Sequence, residues 1–165
     1  MKARLLLAML SLIAAAFAQA PRPITFVGEF SNMRYTEEHA YGYSVQLWRE
    51  GAAVFGLFLA SEGLAGDTPT GLLDGLKYDP RSGKLSFKAK LTMGVDARQQ
   101  PSHDLFGFNG TLRARAVSGV LKHEAASERI NLRKLQPDAA LAQPPTYDEW
   151  KRQTGEILRR RGPKW

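Results

Sequence analysis

The sequence predicts a mainly β protein: an eight-stranded antiparallel up-and-down barrel carrying a C-terminal α-helix. Three observations lead there. Apolar residues recur at every second position along much of the chain after Pro23, turn-forming residues divide these runs at short, regular intervals, and after Pro145 the spacing becomes helical. A two-sheet β-sandwich is the alternative, because the same alternation serves both. At 165 residues, 44% hydrophobic and 24% charged, the chain has ordinary globular composition and room for one folded core.

The first element is a leader. Lys2 and Arg4 precede an apolar run from Leu5 to Phe17, and small residues follow, the three parts of a secretory signal peptide. Two A-x-A sites overlap, at Ala16 to Ala18 and Ala18 to Ala20. The second would put Pro21 directly after the cut, where its ring hinders cleavage, so the expected leader is 1–18. Its apolar run is too short to span a hydrocarbon core of about 30 Å. A periplasmic or secreted location follows as an expectation. With no cysteine in the chain there is neither a disulfide nor a lipid-attachment thiol.

A β-barrel domain is expected over 24–135. Its clearest strand is Tyr41-Gly42-Tyr43-Ser44-Val45-Gln46-Leu47-Trp48, with Tyr41, Tyr43, Val45 and Leu47 on one face. Lys84 to Leu91 repeats the alternation and turns Lys84, Ser86, Lys88 and Lys90 toward water. Six further runs complete the eight: Ile24 to Ser31, Ala53 to Ala60, Thr70 to Tyr78, Asp104 to Leu112, Ala116 to Lys122 and Arg129 to Leu135.

Short connections at Arg49 to Gly51, Asp79 to Gly83 and Arg113 to Arg115 read as hairpin turns. Longer ones run from Asn32 to Ala40, Ser61 to Pro69, Thr92 to His103 and His123 to Glu128. Short and long alternate, so in a meander all four long connections gather at one end of the barrel.

Glycine recurs beside apolar residues in the strands, as in Val27-Gly28-Glu29-Phe30, Phe55-Gly56-Leu57-Phe58, Phe106-Gly107-Phe108 and Ser118-Gly119-Val120-Leu121, where sharp bending or close backbone approach calls for it. In this architecture the stretch from Ile24 to Leu135 resembles the lipocalin-like small barrels, which include avidin-like and fatty-acid-binding proteins. The lipocalin Gly-x-Trp signature is absent: Gly28-Glu29-Phe30 has phenylalanine in that place. The resemblance therefore implies a fold and no particular ligand.

Residues 136–145 form a linker rich in alanine and proline. A helix is expected over 146–162: Thr146-Tyr147-Asp148-Glu149 fits a capping box, Tyr147, Trp150, Thr154, Ile157 and Leu158 share one side, and Gly162-Pro163 ends it. Two placements are open. The helix packs on the barrel, or its basic end makes weak contact with an anionic membrane surface or an acidic partner.

Net charge is +7, but it is unevenly divided. Of 23 lysines and arginines and 16 acids, two cations lie in the leader and six cations with three acids in 147–165. That leaves 15 cations and 13 acids in between. The near balance gives no basic face for a nucleic acid, and none is expected as a partner.

Phosphate-loop, zinc-protease and nucleophile signatures are missing, so no enzyme activity is expected. The candidate site is the long-loop end. His39, His103 and His123 all fall in or beside long connections, accompanied by Glu37, Glu38, Asp67, Asp104 and Glu124. Three imidazoles and a carboxylate are donors suited to zinc or copper, the least favoured reading; otherwise they are solvated side chains or hydrogen-bonding groups for an organic ligand. Rings at Phe26, Phe30, Tyr41, Tyr43, Phe55, Phe87, Phe106 and Phe108 either fill the barrel or line a pocket, with Tyr41 and Tyr43 as polar handles. The leading expectation is a non-catalytic binding protein that engages a small apolar or aromatic molecule, or a partner, at that end. A structural or interaction protein of the cell envelope, its barrel filled, is the second, and a metal-dependent enzyme the last.

Overall fold

The computed structural model describes residues 23–64, 68–95, 98, 100, 102–136 and 146–159. The expected leader, Asp67, nearly all of the linker and the Gly162-Pro163 stop lie outside the described residues. The elements are β1 (Ile24–Ser31), β2 (Arg34–Tyr35), β3 (His39–Glu50), β4 (Ala53–Leu64), β5 (Thr70–Tyr78), β6 (Lys84–Met93), β7 (Leu105–Arg113), β8 (Ala116–His123), β9 (Ala126–Lys134) and α1 (Tyr147–Arg159).

From β3 onward each strand pairs antiparallel with the next, and β1 pairs with both β3 and β9. Eight strands thus close an up-and-down barrel, which disposes of the sandwich. The two-residue β2, not foreseen from sequence, lies in the first long connection and adds two pairs to β3, Arg34 to Tyr41 and Tyr35 to Ala40.

Alternation sends one row of each strand inward. Phe30, Val45, Leu47, Phe58, Leu85, Phe87, Ala89, Phe106, Phe108, Val117, Leu121, Ile130 and Leu132 form one buried cluster. Gly110 faces Gly119 across β7 and β8. A Cβ at either would come within 2.6 to 2.8 Å of the Phe108 ring, so the pair of glycines makes the space that ring occupies.

Two rings expected inside point out. A bulge between Phe26 and Gly28 shifts the β1 register by one residue, which reverses the face on which Phe26 falls. Phe26 therefore packs on Trp48 outside the barrel, at 5.5 Å between ring centroids, while Phe30 remains inside. Phe55 alternates with inward-facing Val54 and goes outward beneath the helix.

That helix covers a seam. β4 and β5 pair only from Leu57 to Leu59, whereas β3 and β4 pair along their whole length. Where β4 and β5 part, Tyr147 and Trp150 close over Phe55 at 6.0 and 5.3 Å between ring centroids. A hollow of about 270 Å³ remains between helix and strands, lined in part by Val54, Leu73 and Leu76.

The helix start has two acceptors. Thr146 Oγ1 accepts from the Glu149 amide at 3.3 Å, and Glu50 Oε2, at the end of β3, accepts from the Tyr147 amide at 2.7 Å. Glu149 turns instead to Arg152 and Gln153, so only the threonine half of the capping box is seen.

Lys90, expected in water, is 2% exposed, flanked in register by Leu72 and Leu105 on the outer face. The connection expected over His123 to Glu128 shrinks to the two residues Glu124 and Ala125, with β9 beginning at Ala126. No glycine or asparagine marks this turn; Glu124 itself takes the left-handed backbone, φ 51°.

Candidate functional site

The consecutive strand order brings the starts of β3, β5, β7 and β9 and the ends of β4, β6 and β8 to one end, the mouth. The opposite end is closed by the turns at 51–52, 79–83 and 114–115. There Asp79 accepts from the Arg81 amide at 2.9 Å and the Ser82 hydroxyl at 2.5 Å, and Lys134 Nζ donates to Val27 O at 2.7 Å.

At the mouth lies an open cup of about 360 Å³ lined by Tyr43, Ala60, Glu62, Pro69, Leu91, Arg98, Asp104, Phe106 and His123. Its floor is a train of rings. Tyr43 stacks on Phe58 at 5.8 Å and meets Phe106 edge-on at 6.1 Å; Phe106 in turn stacks on His123 at 4.4 Å. Phe58, Phe87 and Phe108 continue the packing down through the lumen, at 5.9 and 5.0 Å.

Two acids, Glu62 and Asp104, and one base, Arg98, stand in the walls of the cup. The Tyr43 hydroxyl donates to Glu128 Oε1 at 2.5 Å, and burial together with this hydrogen bond pushes the phenol well above its ordinary pKa. Asp104 Oδ1 lies 3.2 Å from His123 Nε2, and Asp104 Oδ2 accepts from the Ser102 hydroxyl at 3.0 Å. Glu62 stands two residues beyond Ala60 on the inward row of β4. Glu124 follows His123 in the turn.

All three histidines and both tyrosines sit at this end, but they do not converge. Tyr43 and His123 line the cup. His39 and Tyr41 stack on each other at 6.0 Å, on the part of the β3–β4 hairpin where Tyr41 pairs with Glu62 and His39 with Leu64. Tyr41 is 47% exposed, and His103 is exposed on the β6–β7 connection. Among the described residues, the one group of three metal-capable side chains with donor atoms within 4.8 Å of one another is Asp104, His123 and Glu124.

Sequence reasoning missed Glu62, Arg98 and Glu128. Parity could have found two of them, since Glu62 continues the inward row of Phe58 and Ala60, and Glu128 that of Leu132 and Ile130. A charged residue at the last inward position of a strand marks a rim. Arg98 lies in a connection without alternation and left no such signal. No protein-family model matches the chain, no curated protein matches it, and no solved structure matches it.

Proposed function

We propose that this is an exported, non-catalytic binding protein of lipocalin-like type, which holds a small flat ring compound bearing positive charge in the mouth cup. The observation that carries this reading is the cup itself. Its 360 Å³ falls at the small end of the usual range for ligand sites, the side chains of Tyr43 and Phe106 line it, and Glu62 and Asp104 stand in its wall with Arg98, while Glu128 holds the Tyr43 hydroxyl and Glu124 lies beside His123. The rings packed down the lumen favour a ligand held at the rim over a long apolar chain threaded inside. Export rests on the leader read from residues 1–18, and the resemblance to lipocalin-like barrels rests on architecture.

Native mass spectrometry of freshly purified protein tests the reading, followed by titration with aromatic amines and their neutral analogues. A retained mass or saturable binding of the amines is expected. Phe106→Ser weakens it at least tenfold, and Glu62→Gln lowers the preference for amine over neutral ring. If no mass is retained and neither amine nor hydrophobic probe binds, the reading fails. The filled lumen favours a second reading, an envelope interaction protein that presents its mouth loops and its basic helix. Deleting residues 146–165 would then change the proteins that co-purify with it.

A further inference from the structure

We propose that Asp104, His123 and Glu124 bind a divalent first-row transition-metal ion at the edge of the mouth. The inference does not depend on an organic ligand, because the ion needs only these three side chains. Their donor atoms, one imidazole nitrogen and two carboxylate oxygens, all lie within 4.8 Å of one another. Bonds of about 2.0 to 2.2 Å to a shared ion require these donors to draw closer together by side-chain rotation.

The strand register builds the cluster. Phe106 and His123 are cross-strand partners on the inward face, and Asp104 precedes Phe106 by two residues on the same side of the chain. The carboxylate is thereby carried to the imidazole edge, with Oδ1 3.2 Å from Nε2. Leu91 N donates to the backbone oxygen of Asp104 at 2.9 Å, which ties this residue to the end of β6. Glu124 joins because the turn is only two residues long and sets it directly after His123.

Two supports hold the donors in place. Ser102, 3% exposed, holds Asp104 Oδ2 and leaves Oδ1 toward His123. The Phe106 ring lies 19° from parallel to the imidazole and fixes its plane. Such partners are what orient metal ligands in built sites. Nitrogen and carboxylate oxygen without thiolate suit Zn²⁺, Cu²⁺ and their neighbours, and the imidazole argues against Mg²⁺ or Ca²⁺. A divalent ion also offsets the charge of two adjacent carboxylates. His123 and Asp104 line the cup, so further coordination positions open into it.

The test uses the full mature chain, stripped with chelator and titrated with Zn²⁺ against a chromophoric competitor. One equivalent is expected to bind. Asp104→Asn, His123→Gln and Glu124→Gln each weaken it at least tenfold, while His39→Gln and His103→Gln leave it unchanged. Glu124 is exposed in a turn, so its variant reads binding without a folding defect. With Cu²⁺, paramagnetic resonance shows one coordinated nitrogen that His123→Gln removes. Absence of stoichiometric binding, unchanged affinity in the Asp104→Asn and Glu124→Gln chains, or a nitrogen signal that survives His123→Gln overturns the proposal. Aromatic-amine binding measured on the same stripped protein reports on the cup separately.

Discussion

Tyr43 joins the barrel interior to the rim, with its ring on Phe58 and its hydroxyl on Glu128. Its phenol is held neutral by burial first and by the acceptor Glu128 second. The raised pKa means stability that is fully present below the ordinary tyrosine value near 10 and lost as pH rises from there toward the folded value. Tyr43→Phe should therefore be less stable by about 1 kcal/mol at pH 7, the scale of one hydrogen bond. The gap should narrow above pH 10, where the unfolded wild-type chain begins to release the Tyr43 proton. Urea unfolding of both chains at pH 7, 9 and 11 checks this, the other tyrosines cancelling in the difference. A gap that stayed constant would show that Tyr43 titrates alike folded and unfolded. The alternation from Tyr41 to Leu47 made Tyr43 legible as an inward polar handle. The exposure of Tyr41 was not legible, because at Gly42 the backbone turns to φ 114° while Asn32 Oδ1 takes the Tyr43 amide at 2.7 Å. Both features are tertiary.

At the scale of elements, α1 and the β4–β5 seam form one unit. The helix was legible from Thr146, Tyr147 and Trp150, and the structure places the last two on the barrel. What it covers was less plain. The run Val54-Phe55-Gly56-Leu57-Phe58-Leu59 is apolar on both faces, the signature of a strand buried on two sides. Sequence reasoning assigned Phe55 to the lumen because nothing local tells which face meets a helix some ninety residues later. Glu50 at the helix start has a similar history, since its partner is the Tyr147 amide far along the chain. Glu50→Ala should weaken docking by about 1 kcal/mol, as loss of a helix cap does. Trp150→Ala, which removes a side chain 5% exposed, should cost about 3 kcal/mol. Hydrogen exchange checks both. Amides of residues 53–56 and 73–76, where β4 and β5 do not pair, should lose protection first, while those of β7 and β8 keep theirs. Equal loss across the barrel would mean the helix stabilises the whole sheet rather than the seam.

Across the whole molecule, charge is sorted in a way the count concealed. The near balance of the body suggested no basic face, yet pairing places Lys84, Lys88, Arg113, Lys122, Arg129 and Arg133 on the outer surface of β6 to β9, all exposed, with Ser86, Asn109, Thr111, Ser118 and Asn131 between them. Lys77 extends the face onto β5, and its one acid is Asp74, opposite Lys88. Four carboxylates, Glu62, Asp104, Glu124 and Glu128, lie instead at the mouth. This sorting was legible in principle, since Lys84, Ser86 and Lys88 alternate with inward residues, as do Arg129, Asn131 and Arg133; it needed the face of each strand and the strand order together. A one-sided field has consequences that net charge does not. On α1, Lys151 pairs with Asp148, and Arg152 with Glu149 and Glu156, so these cations are largely neutralised locally. Two variants of identical net charge should then separate on a cation exchanger at pH 7. Lys122→Gln with Arg129→Gln should elute at distinctly lower salt than the unaltered chain, and Lys151→Gln with Arg152→Gln close to it. Co-elution of the two variants would mean the surface acts through its total charge, with no oriented face. The expected separation would show that the strand order, by setting a row of bases on the outer wall of β6 to β9, gives this nearly balanced barrel an oriented basic face.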